Sequence, residues 1–233
     1  FKILNRINHF CYATKSSIPR KKIIMCVPNT LMHSFEKNLK SKLINLGAQN
    51  CHHSETYGPY TGAVNAEMLK KSGAEYIILG HSESRQMGDT NILIKKKIKS
   101  ALKHKLKIIF CVGETMQEKK RGKTFFIIKK QIRDSIEKNY NLNKIIIAYE
   151  PVWSIGTNKL LETENLIKTI KFIKNELKNI FKIKKPPIVL YGGSVNEKNI
   201  KIFSSIYDID GFLVGRASQS AKKFIDIIKN YYK

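Results

Sequence analysis

Seven short apolar runs rich in β-branched residues recur along the chain, at residues 22–27, 46–50, 75–79, 107–112, 144–149, 187–191 and 211–214. They are continuously apolar rather than alternating, as in strands covered on both faces. Stretches of helical period follow at 31–43, 91–104, 125–139, 162–180, 197–205 and 218–231. Strand then helix, repeated, predicts right-handed βαβ units and one parallel sheet. No Gly/Ser/Pro-rich linker interrupts the pattern, so a single domain over residues 1–233 is expected. A parallel sheet that closes on itself does so with eight strands, one more than the runs supply. Residues 1–14 carry apolar side chains at 1, 3, 4, 7, 10 and 11, a helical spacing. The expectation is an N-terminally truncated barrel that opens inside its first helix, with a strand ahead of Phe1.

Composition narrows the class. The 42% apolar and 26% charged residues exclude general disorder and a low-complexity chain. No apolar run approaches the ~20 residues of a membrane-spanning helix, and residues 1–20 hold no continuous apolar core of a secretory leader. The cysteines, at 11, 26, 51 and 111, form no CxxC pair, so neither a disulfide scaffold nor a structural zinc site is expected and a reducing compartment is the simplest reading. The formal charge of +25 is compatible with nucleic acid, an anionic membrane or a small anionic substrate. Only six of the 43 basic residues are arginine, and they are scattered. Base-reading surfaces bring arginine and aromatics together, so a lysine-rich solvated surface is the reading preferred to nucleic-acid binding.

In closed parallel barrels the reactive groups collect just past the carboxyl ends of strands. His81 is the one histidine at such an end, in Gly80-His81-Ser82-Glu83. It is either a satisfied structural imidazole or a group that hydrogen-bonds a substrate carbonyl and relays a proton. Glu150 follows the fifth run and precedes Pro151 and the only tryptophan. It is either a carboxylate paired with a lysine or a desolvated general base. The next residues, Pro151, Val152, Trp153, Ser154, Ile155, Gly156 and Thr157, run from a proline to a glycine and suit a lid that moves as a body. Gly192-Gly193-Ser194 and Gly215 follow the last two runs. Each alone is an ordinary turn; together they suit backbone N–H groups converging on a phosphate.

These blocks, with Ala48-Gln49-Asn50-Cys51, Cys111-Val112-Gly113-Glu114 and residues 210–218, resemble the triosephosphate isomerase family in order and spacing across the whole chain. The resemblance implies a TIM (β/α)8 barrel, apparently lacking its first β-strand in this chain. It also implies a cytoplasmic enzyme of glycolysis and gluconeogenesis that interconverts dihydroxyacetone phosphate and glyceraldehyde 3-phosphate without metal or cofactor, the family being an established case of tuned acid–base chemistry. By position, His81 resembles the electrophile, Glu150 the base, residues 151–157 the lid, and Gly156, Ser194, Gly215 and Arg216 the donors to the substrate phosphate. Glu83 and Cys111 resemble residues that flank the site. Residues 52–64, with Thr61 and Gly62, resemble the loop that enters a partner subunit, which implies a homodimer.

Departures are specific. The family's Asn-x-Lys segment, whose lysine faces the phosphate, has no counterpart here, so the chain is expected to be impaired in catalysis. Ser84 stands in place of an arginine, Ala63 in place of an acidic residue and Arg216 in place of a glycine, and the loop after Arg85 is about one residue short. The competing readings are a non-catalytic barrel remnant, a basic nucleic-acid-binding protein and another phosphate-binding barrel enzyme. The Glu-Pro-Val-Trp segment separates the isomerase from the last of these, and retention of both His81 and Glu150 argues against the first.

Overall fold

The structure is a computed structural model and describes residues 2–14, 22–157 and 161–232. Each of the seven apolar runs yields a strand: β1 (Ile23–Val27), β2 (Ile44–Ala48), β3 (Tyr76–Leu79), β4 (Lys107–Val112), β5 (Ile145–Tyr149), β6 (Val189–Tyr191) and β7 (Gly211–Phe212). Every neighbouring pair is parallel, and the spatial order is the chain order, β1 through β7. Among the described residues β1 and β7 each have one neighbour, so the sheet ends at those two strands.

The helices are α1 (Lys2–Ala13), α2 (Met32–Asn38), α3 (Ala66–Lys71), α4 (Ser82–Gln86), α5 (Asn91–Lys103), α6 (Met116–Lys120), α7 (Thr124–Ser135), α8 (Thr163–Phe181), α9 (Ile200–Ser204) and α10 (Ala221–Tyr232). Side chains that compete with helix interiors begin several of them. Asn65 accepts from the Met68 N–H at 3.0 Å, and Thr90 from the Leu93 N–H at 3.2 Å. Thr115 and Glu118 form a reciprocal capping box at α6.

Successive strand residues point to opposite faces, and the core splits accordingly. Ile77, Leu79, Phe110, Val112, Ile147 and Tyr149 belong to the large cluster shared with the helices. Tyr76, Ile78, Ile109, Cys111 and Ala148 form a separate cluster on the other face, with Cys26, Leu190 and Leu213 against it. Both faces are therefore buried, which is why the runs carry no polar alternation. A third cluster joins Ile7 and Phe10 of α1 to Ile23, Ile44 and Ile228, tying the first and last helices together.

Some boundaries move. The expected helix at 31–43 stops at Asn38, because Asn8 of α1 donates to the Asn38 carbonyl at 2.9 Å and accepts from the Lys40 N–H at 3.3 Å. The chain is thereby released early, and β2 occupies 44–48 rather than 46–50. The helix expected over 125–139 ends at Ser135, where Ile136 turns extended and enters the core, 4% exposed. The last helix begins at Ala221, after a separate 3-10 turn over Arg216–Gln219.

Candidate active site

The β3 end supplies the imidazole. Gly80 has φ +74°, and a β-carbon there would crowd the Cys111 carbonyl and the Phe110 ring, so glycine is required. The chain turns through it and His81 becomes the N-cap of α4. His81 Nδ1 accepts the Glu83 backbone N–H at 3.3 Å. That bond leaves the proton on Nε2, which faces Glu150 Oε1 at 3.0 Å. Arg85, one turn along α4, braces the corner. It donates to the Gly80 carbonyl at 2.7 Å, the Asn91 side chain at 2.7 Å and the Cys111 carbonyl at 3.2 Å.

The β5 end supplies the carboxylate. Glu150 is 2% exposed, and its second oxygen accepts the Ser82 N–H at 3.2 Å. Both oxygens are therefore held by donors from the β3–α4 corner. The Glu150 backbone presses so closely on Gly113 that a β-carbon at 113 would collide with the Glu150 carbonyl. Gln131 fixes that approach by pairing both backbone groups of Gly113, at 2.8 and 3.0 Å. The Cys111 thiol stays protonated, because burial pushes it well above the usual thiol range and the charge of Glu150 adds to that.

Charge on the imidazole follows from the pair. Burial lowers the affinity of His81 for a proton, but the hydrogen bond and charge of Glu150, with the charge of Glu83, outweigh it and hold His81 above the ordinary histidine value. The Glu83 carboxylate itself is largely solvated and stands 3.8 Å from Nδ1, so its nearer contribution is the backbone N–H.

Residues 151–157 leave the β5 end as a 3-10 turn over Val152–Ser154. Glu114, at the β4 end, holds this segment down. Its carboxylate is 1% exposed and accepts the Trp153 indole N–H at 2.9 Å and the Tyr149 hydroxyl at 3.2 Å, while its carbonyl accepts the Val152 N–H at 3.1 Å. Burial raises the Glu114 pKa against the pull of those hydrogen bonds. Lys119 lies 3.6 Å over the Trp153 ring. Ser154 is buried, and its carbonyl accepts the Ser194 hydroxyl at 2.5 Å, joining the segment to the loop after β6. Gly156, with φ +68°, ends the turn.

Gly215 and Arg216 follow β7, the latter opening the 3-10 turn. Residues 151–157, Ser194 and Arg216 thus come from three successive strand ends, and Gly156 and Arg216 approach each other. Thr61 and Gly62 stand apart from this group on the exposed turn of residues 52–64, beside a ring cluster of His52, His53 and Tyr60. A cavity of about 510 Å³ borders that loop, lined by Asn50, Cys51, His52, Asp89 and Lys97 among others. Among the described residues no group of three or more His, Cys, Asp or Glu is spaced to hold a metal ion.

Sequence reasoning placed His81 and Glu150 in one pocket, and here they touch. It did not single out the Ser82 amide, the closeness of Gly113 to Glu150 or the anchoring of residues 151–157 by Glu114. Glu114 had a readable signal: a second carboxylate directly past a buried strand, in Val112-Gly113-Glu114.

The family model described as triosephosphate isomerase matches residues 2–231. A triosephosphate isomerase of Dictyoglomus thermophilum is 42% identical over 215 residues, spanning 90% of this chain and 86% of the relative. One from Aquifex aeolicus is 39% identical over 214 residues, spanning 91% and 86%. The crystal structure of triosephosphate isomerase from Bartonella henselae superposes with a TM-score of 0.85 at 33% identity, covering all of this chain and 94% of the other.

Proposed function

The chain belongs to the triosephosphate isomerase family, and we propose from that premise that it interconverts dihydroxyacetone phosphate and D-glyceraldehyde 3-phosphate with Glu150 as the base and His81 as the electrophile. The single observation that carries the assignment of roles is the 3.0 Å pairing of His81 Nε2 with Glu150 Oε1 at the mouth of the sheet, with Nδ1 engaged by a backbone N–H.

The chemistry follows from those bonds. Glu150 gives up its protein donors and takes a proton from the carbon next to the substrate carbonyl. His81 Nε2–H donates to the oxygen that gains charge, stabilising the enediolate. Protonated Glu150 then returns its proton to the neighbouring carbon, and His81 passes a proton between the two oxygens. As Glu150 takes the proton its negative charge passes to the enediolate oxygen, which the His81 Nε2–H faces, while Nδ1 stays engaged as acceptor of the Glu83 N–H. Residues 151–157 act as the lid that excludes water. The backbone N–H groups of Gly156, Ser194, Gly215 and Arg216 receive the phosphate, while Glu83 and Cys111 set the His81–Glu150 pair from either side.

The same reading treats residues 1–233 as one barrel domain, the loop carrying Thr61 and Gly62 as a homodimer contact, and the cytoplasm as its compartment. The exposed tips of Tyr57 and Tyr60 support the contact, and four unpaired thiols support a reducing compartment. No helix among the described residues is long and apolar enough to cross a membrane.

The test is turnover of D-glyceraldehyde 3-phosphate by the purified chain and by Glu150→Gln. General-base removal costs about 10²–10⁴-fold in kcat with KM little changed. A Glu150→Gln variant that turns over at the parent rate refutes the assignment.

A further inference from the structure

We propose that the Arg216 side chain, and not only its backbone N–H, is a phosphate ligand that binds the lid and the substrate together; this rests on the isomerase reading and names a specific cation for the same site. The Nη2 of Arg216 stands 3.3 Å from the point that a β-carbon of Gly156 would occupy, and no other described residue outside the lid's own neighbours comes within 4 Å of it. The guanidinium thus crosses from the loop after β7 to the lid. It lies there because Gly156, at φ +68°, offers bare backbone.

The guanidinium is exposed and has no ion pair or side-chain hydrogen bond among the described residues. Arg85 is the contrast: each of its three guanidinium nitrogens already donates to the protein. An unpaired fork of donors, permanently charged, beside the main-chain N–H groups of the lid and the loop after β7 is complementary to a phosphate monoester dianion. Its planar geometry engages two phosphate oxygens at once, which a lysine ammonium does not. A phosphate between the guanidinium and the Gly156 backbone would touch both, so binding the dianion and holding the lid down become one event.

The test compares the full chain with Arg216→Gln and Arg216→Lys. Calorimetric titration with glycerol 3-phosphate reads the phosphate site without chemistry. Steady-state kinetics use D-glyceraldehyde 3-phosphate and, separately, phosphate-free D-glyceraldehyde. A charge-assisted pair corresponds to about 10- to 100-fold in affinity. Arg216→Gln is expected to weaken glycerol 3-phosphate binding and raise KM for D-glyceraldehyde 3-phosphate by that factor, at low and at high salt, with a smaller loss on D-glyceraldehyde. Arg216→Lys falls between. Unchanged binding in Arg216→Gln overturns the proposal. So does a loss that vanishes at high salt, which marks the arginine as a long-range attractor only, and so does an equal loss on D-glyceraldehyde, which marks a structural role. A parent chain that binds glycerol 3-phosphate through Arg216 but turns over neither triose phosphate defeats the isomerase reading and leaves the phosphate ligand standing. A parent chain that does neither defeats both.

Discussion

Replacing Glu150 by glutamine isolates the electrostatics of the catalytic pair. In the parent chain the His81 Nε2 to Glu150 Oε1 bond is 3.0 Å, and the two side chains are 24% and 3% exposed. A hydrogen bond to a charged group in such a setting contributes about 1.5–3 kcal/mol. With His81 held above its ordinary value, its contribution to stability is complete below the unfolded histidine value of about 6.5 and is lost as pH rises through the folded value. Glutamine removes the charge and keeps one acceptor oxygen. Burial, the largest influence on His81, then acts nearly unopposed, and His81 falls below the ordinary value. Its stability contribution changes sign, so acid now costs stability instead of adding it. Loss of the Ser82 N–H bond is a cost common to both ends of the range. The melting curves of parent and variant should therefore diverge on the acid side by about 2 kcal/mol, or about 4–8 °C for a domain of this size, and run parallel at alkaline pH. NMR titration of the histidine rings checks the cause, with His81→Gln identifying the signal. If His81 titrates at the same pH in both proteins, the account of the pair is wrong.

Gly113→Ala drives a β-carbon into the Glu150 carbonyl; a shift of about 1 Å at the base lowers kcat by ~10²-fold with a smaller change in KM, and parent-like kcat would show that the contact is slack. Lys97 and Asp89 form an ion pair at 2.7 Å with side chains only 7% and 9% exposed, so Lys97→Met, which strands the carboxylate, should cost about 3–5 kcal/mol in urea unfolding, with part of the loss recovered by adding Asp89→Asn.

How much of this was legible turns on the range of each determinant. The strands were, because a strand buried on both faces must be apolar throughout, and Lys107–Val112 appears with the boundaries its sequence suggests. The early end of α2 was not, since it depends on Asn8, which is 30 residues away in sequence from the carbonyl it binds. Gly47 lies inside β2, within the run the sequence marks, but the pattern does not show why it is glycine: any side chain there would meet the Cys26 sulfur and Tyr76. Five- and six-residue helices such as α3, α4 and α6 are too short to show a period; only their caps announce them, and Thr115-x-x-Glu118 was readable as one.

The site divides along the same line, and the period of two explains how. Ala148 belongs to the cluster on the sheet face that also holds Ile78 and Cys111. Glu150, two residues on, continues on that face. Val112 belongs to the opposite cluster with Tyr149, and Glu114, two residues beyond Val112, duly accepts the Tyr149 hydroxyl. Two carboxylates that look alike in the sequence are thus sorted by parity, Glu150 to the face of Ile78 and Cys111 and Glu114 to the face of Tyr149. The same counting fails for His81: Leu79 lies on the helix-side face, which would carry His81 away from Glu150. Gly80 reverses that. Its left-handed backbone breaks the alternation and swings the imidazole to within 3.0 Å of the carboxylate. Periodicity therefore locates Glu150, and a single glycine dihedral, invisible to periodicity, brings its partner to it.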